Sequence, residues 1–204
     1  MGKTSANDRW LVYACRTSAF MTLDAAVYPS TLFYGRSIPW PPWACKAPDG
    51  GIHIDNRIGR IDVDLRERPR TRAELHWTWD FGVHLIADSW LSDIRDLIDE
   101  NRTFLGDVRV GGKKIAGWST VHEPNPPSLL SSQGKSKTCP VCGSFYTTLW
   151  GSLFISDQSA AGRSLFENQK GIFISEDLVL SRNLRRPAGV FKPWPVKLRP
   201  TPKA

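Results

Sequence analysis

Cysteine is scarce: there are four in 204 residues, and only Cys139 and Cys142 stand close together. That excludes a disulfide-stapled scaffold. A chain this long makes one domain or two small ones and can bury a core without staples. No apolar run is long enough to cross a bilayer. Met1 to Trp10 is polar and lacks the apolar stretch of a secretory signal. Gly2 is followed by Ala6 where N-myristoylation wants Ser or Thr. A soluble, cytoplasmic chain is expected. Catalytic signatures are also missing. There is no G-x-S-x-G elbow and no H-E-x-x-H helix. Gly2-Lys3-Thr4 lacks the earlier glycine and strand of a phosphate loop. The acids are scattered, with no pair set apart for proton transfer. A protein that is not an enzyme is expected.

Positive charge and tryptophan are what the chain has in excess, with a net charge of +7 and nine Trp. A basic balance invites nucleic acid or an acidic partner. Arg57, Arg60, Arg66, Arg68, Arg70 and Arg72 are interleaved with Asp62, Asp64 and Glu67, the pattern of a solvated face more than of a phosphate groove. Ser37 to Gly51 is rich in proline, which removes N–H donors, so an irregular segment docked by Trp40 and Trp43 is expected.

Trp10 to Ala14 is a short apolar run that reads as the first strand, and period-two alternation marks another at Ile61, Val63 and Leu65. The longest alternation runs from Ala73 through Leu75, Trp77, Trp79, Phe81 and Val83 to Leu85. It predicts one strand with His76 and His84 on its opposite face. Trp90, Leu91, Ile94, Leu97 and Ile98 have helical spacing, with Asp88 or Ser89 as cap. Gly111-Gly112 between two strand-like runs predicts a hairpin. His122 to Lys137 reads as a loop, Phe145 to Ile155 as strand, Asp157 to Gly162 as a turn, and Ser164 to Asn168 as a short helix.

Two stretches resemble each other. Gly171 to Leu198 reads as strand, helix capped by Ser175 with Leu180 and Leu184 on its apolar face, a break at Pro187 and Gly189, then strand. Gly82 to Val110 has the same plan. Set without gaps, Val83 faces Ile172, Leu85 faces Ile174, Asp88 faces Asp177 and Leu91 faces Leu180. The expected fold is α+β: a mixed or antiparallel sheet, a few short helices, two related strand-helix-strand halves and a zinc knuckle. Residues 1–121 would form the first half, 122–138 a linker and 139–204 the second, in one body.

Cys139-Pro140-Val141-Cys142-Gly143 is the sharpest motif. Two thiolates at this spacing can bind one tetrahedral ion, and zinc is the candidate cofactor. A closed site needs two more ligands, from among Cys15, Cys45, His53, His76, His84 and His122. A redox role is disfavoured because no helix starts at Cys142 to lower a thiol pKa.

The knuckle, with Ile174, Ser175, Glu176, Leu180, Leu184, Phe191, Pro195 and Val196, resembles the double-CxxCG-motif immunity proteins of bacterial polymorphic toxin systems. The likeness covers about Gly82 to Leu198. The resemblance implies a zinc-ribbon-like knuckle and a protein that neutralises a secreted toxin by occluding its active site, without chemistry of its own. This chain has one CxxCG where the family has two. With its basic balance, the implied toxin is acidic or neutral, and neither a membrane nor nucleic acid is an expected partner. Candidate partner-binding residues are Trp40, Trp43, Arg66, Arg68 and Arg70, beside the His122–Lys137 loop. The alternative is a zinc-ribbon nucleic-acid binder.

Overall fold

Alternating and continuous apolar runs become short strands throughout the computed structural model, which describes residues 9–14, 20–33, 36–46, 52–78, 81–131, 136–147, 152–168 and 170–199. In chain order the first half carries β1 Arg9–Tyr13, β2 Phe20–Met21, β3 Ser30–Phe33, β4 Arg36–Pro39, β5 Ala44–Lys46, β6 Ile52–Ile54, β7 Val63–Leu65, β8 Leu75–Thr78, β9 His84–Ala87, α1 Asp88–Ile94 and β10 Phe104–Val110. Then come β11 Lys113–His122, β12 Leu129–Ser131, β13 Ser136–Thr138, β14 Phe145–Thr147, β15 Leu153–Ser156, α2 Asp157–Ala160, β16 Leu165–Asn168, β17 Gly171–Ser175, α3 Glu176–Ser181 and β18 Trp194–Arg199. The fold is α+β, mostly strand, with two six-stranded sheets each curled into half a barrel.

One sheet has the order β2-β8-β9-β11-β10-β7 and the other β12-β15-β18-β1-β17-β16. Read from β8 and from β16, both run through three antiparallel junctions to one parallel junction, β10 with β7 and β18 with β15. In the first sheet, residues 20–24 hold both edges. β2 pairs with β8, while Leu23 bridges to Leu65 of β7. The stretch expected as a linker, 122–138, carries β12 and β13, and β1 joins the sheet otherwise built from residues after 121.

The sheets share a core. Leu75, Ile86 and Val121 of the first meet Leu165, Ile174 and Tyr13 of the second, with Trp90, Leu91 and Ile94 of α1 packed alongside. A second core, from Met21 and Trp43 to Val108 and Ile115, fills the first half-barrel. A third, around Trp10, Val12, Phe166 and Phe173, fills the other.

The structure corrects several sequence expectations. The long alternation from Ala73 is not one strand but the β8–β9 hairpin, with Leu75 opposite Ile86 and Trp77 opposite His84. Gly82 at φ 76° turns the chain, and the Thr78 hydroxyl accepts the Val83 N–H. The turn reverses parity, so His84 shares a face with Trp77, and His76 with Leu85. Trp79 lies outside the described residues. Ser164 to Asn168 is not a helix, because Leu165–Asn168 pairs with β17 as strand β16. Residues 157–160 are helical. The proline segment contributes β4 and β5. Ser175 and Ala87 hold the N-cap positions of α3 and α1, and neither helix has a side-chain cap. Helix α3 ends at Ser181, before Pro187, and Asn183 takes the left-handed conformation at φ 49°. Leu180 therefore points out, 71% exposed, while Leu178, Val179 and Leu184 reach the shared core. The Gly111-Gly112 hairpin forms as expected, with φ of 57° and 75°.

Candidate metal centre

Two hairpins meet at one point. In the first, β5–β6, Cys45 and His53 are cross-strand partners, so their side chains leave the same face side by side. In the second, β13–β14, Cys139 and Cys142 lie on the connecting turn. That turn is closed by Gly143 N–H to Cys139 O at 2.9 Å and Cys139 N–H to Ser144 O at 2.8 Å. Gly143 sits at φ 76°, a conformation that glycine adopts without steric cost. The Ser144 hydroxyl donates to Ile54 O at 2.9 Å and so ties the knuckle to β6.

The four ligand atoms lie within 4.8 Å of one another, and all four residues are buried. Cys45 Sγ is 4.0 Å from Cys139 Sγ, and His53 Nε2 is 3.1 Å from Cys142 Sγ. Tetrahedral zinc with bonds of about 2.0–2.3 Å needs ligand atoms roughly 3.5–3.8 Å apart. The separations of 3.1 and 4.0 Å bracket this range, so the four side chains could hold one metal ion, and three Cys with one His is a donor set that suits Zn²⁺.

The protonation of the thiols follows from the same geometry. Burial pushes the Cys45 thiol up to about 12, and the neighbouring Cys142 and Cys139 add to this. Burial also works against ionising Cys142. The contact of its sulfur with the Ser144 hydroxyl, the backbone N–H groups of Asn56 and Ser144, and His53 outweigh it and bring that thiol down to about 6. A bound cation would draw the remaining protons off, because metal-ligating thiols bind as thiolates. Three thiolates and one Zn²⁺ leave one negative charge. Arg57, held charged above all by its pair with Asp55 at 2.6 Å, is close enough to feel Cys142 and Cys45 as well.

Of the residues named from the sequence, Cys139 and Cys142 are at this centre, joined by Cys45 and His53 from the longer candidate set. Cys15 lies outside the described residues. His76 is buried with Nε2 3.1 Å from Arg70 O. Trp43 is not available to a partner as an anchor. It is 4% exposed, packs edge-on against Phe81 at 5.1 Å and donates to Asp62 O. Trp40 is half-buried, 6.1 Å from the same ring. Arg66, Arg68 and Arg70 are exposed.

A second polar cluster has no motif. His84 Nδ1 is 2.7 Å and His122 Nδ1 3.7 Å from the carboxylate of Glu167. The Glu123 N–H also donates to that carboxylate, and the Glu123 side chain pairs with Arg163. These groups join β9 and β11 to β16 across the seam between sheets. Glu123 and Arg163 line a cleft of about 210 Å³ with Asp96, Asp99, Arg102 and Thr103.

No family model matches the chain, and no curated protein matches it. No helix among the described residues is long and apolar enough to cross a membrane.

Proposed function

We propose that the chain is a zinc-stabilised immunity protein that binds a cognate secreted toxin in the cytoplasm of the producing cell and occludes its active site. One observation carries this reading. Cys45 and His53, cross-strand partners on one hairpin, lie beside the lone CxxCG and would complete a four-ligand set with it. A centre closed by four protein ligands is the structural kind of zinc site, which fixes shape and leaves activity to a surface. Five strands of each sheet follow the same order, which supports a reading as two related halves. The charge of +7 suits an acidic or neutral toxin, since complementary charge speeds encounter.

The test is to co-express the chain with a toxin domain found encoded at the neighbouring locus; a locus that encodes no such domain counts against the reading. Growth is restored and a stable complex is recovered if the reading holds. Continued killing in the presence of soluble protein, with no complex, overturns it. The competing reading is a zinc-ribbon nucleic-acid binder, for which the charge of +7 and the CxxCG knuckle speak. That would give a gel shift that fades steeply with salt.

A further inference from the structure

The strand order contains an exchange. Divide the chain at the tip of the β10–β11 hairpin, between Gly111 and Gly112. Every strand of the first sheet then comes from the first segment except β11, and every strand of the second sheet from the second segment except β1. Each exception is the first strand of its own segment. Each is inserted at the same place in the other sheet, β11 between β9 and β10 and β1 between β17 and β18. The register agrees. Trp118 lies opposite Ala87, the N-cap residue of α1, and Trp10 lies opposite Ser175, the N-cap residue of α3. Leu75 opposite Ile86 corresponds to Leu165 opposite Ile174. This register sets Ile86 against Ile174, one residue away from the ungapped alignment.

The metal ligands obey the same division. Cys45 and His53 belong to the first segment, on the hairpin that precedes β7, and Cys139 and Cys142 to the second, on the hairpin that precedes β15. The geometry points to two copies of one unit, residues 9–110 and 113–199. They have traded their first strands and are fastened by a single zinc ion to which each contributes two ligands. This inference rests on the reading that the four side chains bind zinc, and is independent of any toxin.

The physical consequence is mutual dependence. A sheet that lacks its inserted strand has unpaired N–H and C=O groups on two neighbouring strands, which are costly to leave buried. Half a ligand set leaves zinc incompletely coordinated. In the intact chain the connecting hairpin conceals this dependence, because the tether keeps the two units at high effective concentration.

The experiment inserts a protease recognition site between Gly111 and Gly112 of the full chain, where the backbone is exposed and a side chain would meet nothing within 4 Å. The purified zinc-loaded protein is then cut. The expected result is one particle containing both fragments and one zinc per pair. Removing zinc with a chelator should raise the fragment dissociation constant by about 100-fold or more, as expected for an ion that binds only the assembled form at 100 times its own dissociation constant. A cross-link reports the exchange itself. Arg9 and Lys197 are exposed partners on β1 and β18, so Arg9→Cys/Lys197→Cys should join the two fragments on a non-reducing gel. Fragments that separate while zinc stays with one of them overturn the inference and leave zinc binding intact. So does an association unaffected by zinc removal, or a cut particle that cannot be cross-linked. Absence of zinc from the uncut chain overturns the metal reading as well.

Discussion

His84 Nδ1 stands 2.7 Å from Glu167 Oε1, with both side chains almost wholly buried in the seam between the sheets. Burial alone would raise the Glu167 pKa, but the His122 ring 3.7 Å away and the hydrogen bond with His84 overcome it and hold the carboxyl below its ordinary range. A depressed carboxylate contributes stability above its unfolded pKa of about 4.3 and loses that contribution as pH falls through the folded value. Glu167→Leu leaves the buried His84 ring without its hydrogen-bond partner and should cost about 1–3 kcal/mol at neutral pH. Urea unfolding measures this. The variant's stability should also vary less on the acid side than the parent's.

Glu74 is the hub of a clamp between β8, α1 and the chain after α3. Arg185 donates to both of its oxygens, at 2.6 and 2.8 Å, and the Ser89 hydroxyl and Ala188 N–H add to them. The Arg185 hydrogen bonds, first among these causes, hold the Glu74 carboxyl at about 2 against burial. The clamp's stabilisation is therefore complete above about pH 4.3 and is lost as pH falls through about 2. Arg185 is half exposed and water screens the pair, so a Glu74→Gln/Arg185→Ala double-mutant cycle should give a coupling of only about 1 kcal/mol.

Gly106 lies where β10 passes closest to the residues leading into β7. An added Cβ would stand 1.9 Å from Ile61 O and 2.5 Å from Thr120 Oγ1. Backbone cannot yield as a side-chain tip does, so Gly106→Ala should destabilise by about 3 kcal/mol, at the upper end of overpacking costs. Gly111→Ala, at the open hairpin tip, meets no atoms and bears only the strain of φ 57°. Thermal melts of the two variants side by side should show the larger loss for Gly106→Ala.

Trp43 and the arginine run separate stability from recognition. Trp43→Ala removes a buried ring from the core of the first half-barrel and should cost about 3–5 kcal/mol. Arg66→Ala, Arg68→Ala and Arg70→Ala are exposed changes and should each move stability by less than about 0.5 kcal/mol. If this face meets an acidic partner, the triple variant binds more slowly, and the deficit shrinks as salt is added. Chemical denaturation and binding kinetics read the two effects apart.

The sequence carried local signals well and long-range ones poorly. Gly111-Gly112 announced its hairpin because paired glycines between strand-like runs leave little else. Trp90, Leu91 and Ile94 gave α1, and their burial agrees with the helical period. The β8–β9 turn was hidden because residues keep alternating on both sides of Gly82 while the faces exchange there. Strand β16 was missed because Leu165–Asn168 is four residues long and takes its identity from pairing with β17. At the metal centre, CxxC gave half the ligands by spacing. The other half had a fainter signal, a Cys and a His on either side of Pro48-Asp49-Gly50-Gly51, residue types that favour turns. That Cys45 lies beside Cys139, ninety-four residues on, is a property of the folded chain alone.

Metal content is the most direct test of the account. The full-length protein, purified without added chelator, should carry one zinc per chain by elemental analysis. Co²⁺ in its place should show the thiolate charge-transfer absorption of a tetrahedral site. His53→Ala and Cys139→Ser, from opposite hairpins, should each abolish tight binding. A metal-free native protein with all four side chains intact, or zinc retained at full stoichiometry in both variants, would contradict the shared four-ligand centre.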